Sequence, residues 1–145
     1  MGFGAGGDEQ QFQRIEEEIL AELRRSFSPE FINRIDETIV FHPLGREELA
    51  KICRLLIDDV NATLAPKGAV LDVDDAAIEW LLQQSGDDPN MGARPLRRAI
   101  QKHIEDPVSE LLIQNRDERV EAIEVRVGPE GLRVLAREIE PIATE

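Results

Sequence analysis

Gly92-Ala93-Arg94-Pro95-Leu96-Arg97-Arg98-Ala99-Ile100 is the stretch on which the reading of this chain turns. Leu96, Ala99, Ile100, His103 and Ile104 recur at helical spacing, so a long amphipathic helix starts near Arg94 with Pro95 in its first turn. Three arginines at that start conflict with helix electrostatics. The unpaired amides of a first turn make it partly positive; each cation there costs about 0.3–1 kcal/mol, whereas an anion is favoured. Two readings follow: a solvated face neutralised by nearby acids, or a helix start held ready for an anion such as phosphate.

On the N-terminal side of this helix, Asp74 caps a helix carrying Ile78, Leu81 and Leu82 that ends near Gly86, and Val70–Val73 reads as a short strand. Leu49, Ile52, Cys53, Leu56, Ile57, Val60 and Leu64 mark one side of a helix from Arg46 to Leu64 that stops at Pro66 and Gly68. His42-Pro43-Leu44-Gly45 reads as a linker. Before it, Thr38-Ile39-Val40-Phe41 reads as a buried strand, and Ser28-Pro29 opens a short helix with Ser as N-cap. Phe12, Ile15, Ile19, Leu23 and Phe27 define a helix from Glu9 to Phe27, with Asp8 as its cap after a glycine-rich leader.

On the C-terminal side, Pro107 must kink or restart the arginine-bearing helix, because an interior proline loses a hydrogen bond and clashes with the preceding turn. Ile123, Val125 and Val127 alternate with charged residues, and Gly128-Pro129-Glu130-Gly131 turns the chain into Leu132-Arg133-Val134, a hairpin. Residues from Glu138 onward read as a loose tail.

A chain of 145 residues with 41% hydrophobic content suits one domain with an appended segment. Aromatics make up 4% and tyrosine is absent, so Leu, Ile, Val and Ala must build the core. A net charge of −13 argues against general nucleic-acid binding, which needs a basic face to displace counterions. No apolar run approaches a membrane span and no signal peptide is evident, so a cytoplasmic protein is expected. Cys53 alone excludes an internal disulfide.

Most candidate chemistry dissolves on inspection. Gly2-Phe3-Gly4-Ala5-Gly6-Gly7 matches G-x-G-x-x-G but follows no strand, and no Gly-Lys pair offers a phosphate loop. Asp58-Asp59 falls in the helical series, and Asp72, Asp74 and Asp75 lack calcium-loop spacing. His42, Cys53 and His103 have no zinc-site spacing, so no metal site is expected; Cys53 and His103 lie on apolar faces, which suits packing. Arg34, at the end of its short helix, has a bland reading too: an ion pair with a neighbour such as Asp36.

Three ordered blocks change the weighing. Phe27-Ser28-Pro29-Glu30-Phe31-Ile32-Asn33-Arg34-Ile35-Asp36, then Val40-Phe41-His42-Pro43-Leu44, then Gly92 to Ile100 resemble the C-terminal part of the second ATPase module of Clp-family AAA+ unfoldases. The resemblance spans residues 1 to 136, with Ile100 to Asp106 most like the ClpC group and the ClpB group close behind. It departs at Met91, where an aromatic is usual, and at Ser28, where a basic residue is common.

The resemblance implies an α+β chain. Residues 1–42 would be the C-terminal remnant of the AAA+ large subdomain. Residues 43–137 would form the small lid subdomain, with helices on one face of a roughly three-stranded sheet, and 138–145 a tail. It implies that Arg94 is the sensor-2 arginine, reaching phosphates of nucleotide in its own subunit, and that Arg34 is the arginine finger entering the neighbour's site. Ile52 would lie beside the adenine. The implied cofactor is ATP or ADP with Mg; the implied partners are the remaining large subdomain, neighbours in a homohexamer, protein substrates, and ClpP protease through regions outside this sequence. The phosphate loop, magnesium-holding acids, sensor-1 and pore loop all lie upstream of the matching blocks. The chain by itself is thus expected neither to hydrolyse ATP nor to bind nucleotide tightly, being an excised piece or a truncated gene product. The alternative kept open is a non-enzymatic acidic oligomerisation or adaptor module with the same fold.

Overall fold

The computed structural model describes residues 5–86 and 88–141, which divide into two units between His42 and Pro43. In the first unit, helix α1 spans Ala5–Ser26. It begins earlier than expected, so Asp8 stands inside the helix rather than at its N-cap position; residues 1–4 of the glycine-rich leader lie outside the described residues. Helix α2, Pro29–Ile32, starts as its residues dictate: Pro29 presets the first turn and the Phe31 amide donates to Ser28 Oγ at 3.3 Å. The Phe27 and Phe31 rings stack with centroids 4.9 Å apart.

The expected strand at Thr38–Phe41 is not formed. The segment is unpaired, with Ile39 64% and Phe41 86% exposed. An isolated apolar run has no neighbour to take its backbone donors and acceptors, and a strand exists only as half of a pair.

The second unit opens with α3, Arg46–Leu64, followed by a short 3-10 turn and strand β1, Val70–Val73. Helix α4, Asp75–Ser85, is capped by Asp74, whose Oδ1 accepts from the Ala77 amide at 2.8 Å. Helix α5, Arg94–Ile100, passes through a π-helical turn, Gln101–Glu105, into α6, Asp106–Gln114. That turn is how the chain accommodates Pro107. The Asp106 amide reaches back to Gln101 O, one residue further than in an α-helix, and this wider turn precedes the position that has no N–H to give.

Strands β2, Glu118–Gly128, and β3, Gly131–Pro141, form the hairpin and complete a sheet of order β1-β2-β3, with β1 parallel and β3 antiparallel to β2. Residues 138–141 therefore belong to the sheet rather than to a loose tail, and residues 142–145 lie outside the described residues. A register shift at Ala122 lets Val120 and Ile123, three apart, both face inward, as a bulge does. Helices α3, α4 and α6 contact the sheet, and between them Cys53, Leu81, Leu96, Ile100, Ile104, Ile123 and Val125 are fully buried. On the other side of β1, Asn61 pairs with Leu71 much as a neighbouring strand would: its Oδ1 accepts from the Leu71 amide at 2.8 Å and its Nδ2 donates to Leu71 O at 3.1 Å.

Candidate functional site

The arginine cluster is set up by what precedes it. After α4 the chain passes Gly86 (φ 75°) and Gly92 (φ 60°, ψ −137°), conformations closed to residues with a Cβ. Between them the Asp88 carboxylate accepts from the Asn90 amide at 2.9 Å, shaping a 3-10 turn over Pro89–Met91. Ala93 then sits at the N-cap of α5 and offers no side-chain cap. Leu96, Ala99 and Ile100 are drawn into the core, which turns Arg94, Arg97 and Arg98 outward into solvent.

The acid-neutralised reading of this face is not what the geometry gives. No carboxylate among the described residues lies within ion-pair distance of Arg94, Arg97 or Arg98, whereas Arg54 reaches Asp75 at 3.0 Å and Arg137 reaches Glu124 at 2.7 Å. Asp87, in the preceding loop, lies outside the described residues. Arg94 thus faces solvent at a helix start without a side-chain cap, with Arg97 and Arg98 exposed one turn further on.

Beside this start lies a cleft of about 700 Å³. Leu44 and Leu49 line one wall, Leu82 and Ser85 another, and Gly86 and Gly92 the third. Arg46, also on the rim, is tied by an ion pair to Glu79 of α4. Ile52, expected beside a base, is half-buried against the core and does not line the cleft; Leu49, one turn earlier on α3, does. Sequence reasoning missed Leu44, Leu49 and Leu82, whose apolarity is indistinguishable from that of core residues until the three segments meet.

In the first unit, Arg34 follows α2, its amide donating to Phe31 O at 3.1 Å. Its side chain is exposed and has no ion-pair partner among the described residues, Asp36 included.

Other reactive groups are built into the packing. Burial pushes the Cys53 thiol up to about 11, against a smaller opposing pull from Arg54, which leaves it protonated at neutral pH and no nucleophile. The His103 ring meets Trp80 edge-on at 4.8 Å; its pKa is lowered from 6.5 by burial first and by Lys102 second. No group of three His, Cys, Asp or Glu able to hold a metal occurs among the described residues. No helix among them is long and apolar enough to cross a membrane.

The family described as the C-terminal, D2-small domain of ClpB protein matches residues 44–125. The chaperone protein ClpB of Oceanobacillus iheyensis is 38% identical over 131 residues, covering 90% of this chain and 16% of that protein. The ATP-dependent Clp protease ATP-binding subunit ClpC of Staphylococcus aureus is 41% identical over 130 residues, with the same coverage of each. The chain therefore spans 16% of the length of these curated relatives. With that match laid over α3 to β2 and a three-stranded mixed sheet beneath the helices, the chain belongs to the ClpB D2-small domain family.

Proposed function

We propose that this chain is the end of the second ATPase module of a Clp unfoldase, with residues 1–42 closing the large subdomain and residues 43–141 forming the small one. Arg94 acts as the sensor-2 arginine on nucleotide in its own subunit, and Arg34 as the arginine finger on nucleotide in the next. The observation that carries this reading is the exposed Arg94 guanidinium at the uncapped start of α5, with Arg97 and Arg98 one turn on, beside an apolar cleft and without a described carboxylate to neutralise them. The S. aureus relative is named an ATP-binding subunit, which fits the same chemistry.

The residues suit the roles. A guanidinium keeps its charge and binds phosphate oxygens with two parallel donors. Phosphoryl transfer redistributes charge over the transferred group's oxygens, and an arginine supplied there is worth about 10³–10⁵ in rate in GTPases. Leu44, Leu49 and Leu82 offer an apolar wall for adenine. Loss of the γ-phosphate removes a partner of Arg94 and so links this helix to nucleotide state. Magnesium, when bound with ATP, neutralises phosphate charge. The described residues provide no group of three His, Cys, Asp or Glu to hold it.

In the whole protein the work is ATP-driven unfolding of protein substrates by a homohexameric ring in the cytoplasm. ClpP engages through regions beyond this sequence. The test mixes the chain with the large subdomain of a Clp relative and follows phosphate release from ATP. Hydrolysis should appear in the mixture only, and Arg34→Ala or Arg94→Ala should lower it by at least about a hundredfold. A rate indifferent to both substitutions overturns the motor reading in favour of an acidic oligomerisation or adaptor module.

A further inference from the structure

Arg46 opens α3 and lines the same cleft as Gly92, two residues before Arg94, yet its guanidinium is occupied by a carboxylate. It reaches Glu79 of α4, 33 residues on, and so joins the two helices that wall the cleft. Both side chains are about half exposed. An ion pair of that kind adds little stability, a factor of about one to five in equilibrium, and opens readily. The position gains nothing from its helix either, because a cation in a first turn opposes the amides there. Gly45, at the N-cap, supplies no side-chain cap, and Glu48 lies over it so closely that a Cβ would come within 2.7 Å of Glu48 Oε2. The amides at this start are thus screened by an acid, and the guanidinium is the group left to meet an anion. Among the described lining residues the other charged one is Asp88, whose Oδ1 already accepts from the Asn90 amide.

We infer that Arg46 is a second phosphate-binding arginine of this cleft, held by Glu79 and handed to a phosphate group when nucleotide binds. The inference rests on the nucleotide reading of the cleft and adds to it a residue and an exchange of partners. A phosphate group offers a guanidinium what the Glu79 carboxylate offers, oxygens for two parallel donors, and carries more negative charge. The exchange is local: Arg46 keeps its place in the first turn of α3 and only its side chain changes partner. When phosphate leaves, the guanidinium returns to Glu79 and again ties α3 to α4.

The test uses the full chain and follows the backbone amide signals of the cleft residues Gly86 and Gly92 by NMR as pyrophosphate is added. Arg46→Gln should weaken pyrophosphate binding at least about threefold. Glu79→Gln, which frees the guanidinium, should instead strengthen it by about two- to fivefold, the strength of the pair it removes. Loss of a structural brace would move both variants the same way, because each breaks the same pair. Loss of a negative charge alone would act with or without Arg46, so Glu79→Gln is repeated in the Arg46→Gln background, where it should change nothing. The circular dichroism spectrum should be the same in all three variants. Unchanged affinity in Arg46→Gln, weaker binding in Glu79→Gln, or a Glu79→Gln gain that survives without Arg46 overturns the assignment. Arg94→Ala separates this result from the reading beneath it. If Arg94→Ala weakens pyrophosphate binding and Arg46→Gln does not, only the role of Arg46 falls; in the reverse case Arg94 loses its role and Arg46 keeps its own. Absence of pyrophosphate binding to the wild-type chain overturns both.

Discussion

The two units spend their apolar residues differently. In the unit that ends at His42, Ile15, Ile19, Phe27, Phe31, Ile39 and Phe41 are all between 44% and 86% exposed, and no described side chain there is fully buried. In the unit from Pro43 onward, α3, α4, α5, α6 and the sheet enclose one core whose members run from Cys53 to Val125. Helical periodicity is as clear in α1 as in α3, yet among the described residues α3 buries Cys53, Ile57, Val60 and Leu64 while α1 buries no side chain fully. Periodicity states what a helix requires of its surroundings; burial shows whether the surroundings supply it.

Core truncation should expose that contrast most sharply. Leu96→Ala or Ile104→Ala, at sites with no exposed surface, should each cost about 2–5 kcal/mol in urea unfolding followed by Trp80 fluorescence, while Ile19→Ala shifts the same transition by less than about 0.5 kcal/mol. Equal effects would mean that α1 shares the core. A smaller loss, about 1–3 kcal/mol, is expected for Asn61→Ala in the same assay, because the Leu71 amide and carbonyl lose the side chain that pairs with both. Asp74→Ala should cost about 0.5–2 kcal/mol by removing the α4 cap. Its counterpart Ser28→Ala in α2 should leave this transition in place.

The subtlest difference is in pH response. His103 has its folded pKa below the unfolded value of 6.5, so the unfolded chain takes up protons first, and stability falls as pH drops through 6.5 toward the folded value. His103→Gln should therefore flatten the melting temperature between about pH 7.5 and pH 5.5, where wild type declines. A decline of the same size in the variant would assign the pH dependence to other groups.

Much of the second unit is legible in the residues. The apolar series sets α3 at Arg46–Leu64, Asp74 announces α4, and the Gly128–Gly131 turn announces the hairpin. What escapes the sequence depends on partners or on count rather than on residue type. Thr38–Phe41 has strand composition but pairs with no strand among the described residues. The bulge at Ala122 changes which face each residue takes without changing any residue, and the tail beyond Ala136 pairs because Val120 and Glu118 lie opposite it. Arg94 and Arg34 stand out by motif. The cleft wall does not, since Leu44, Leu49 and Leu82 become neighbours only through the packing of α3 on α4.

In the motor reading Arg94 offers phosphate a guanidinium that no acid among the described residues already holds. The direct measurement is an NMR titration of the full chain with pyrophosphate, following the arginine Nε–H signals. Arg94 and its neighbours Arg97 and Arg98 should shift with saturation, while Arg126 and Arg137, held by Asp72 and Glu124, stay still. Shifts of equal size at all five, or a silent Arg94, would contradict it.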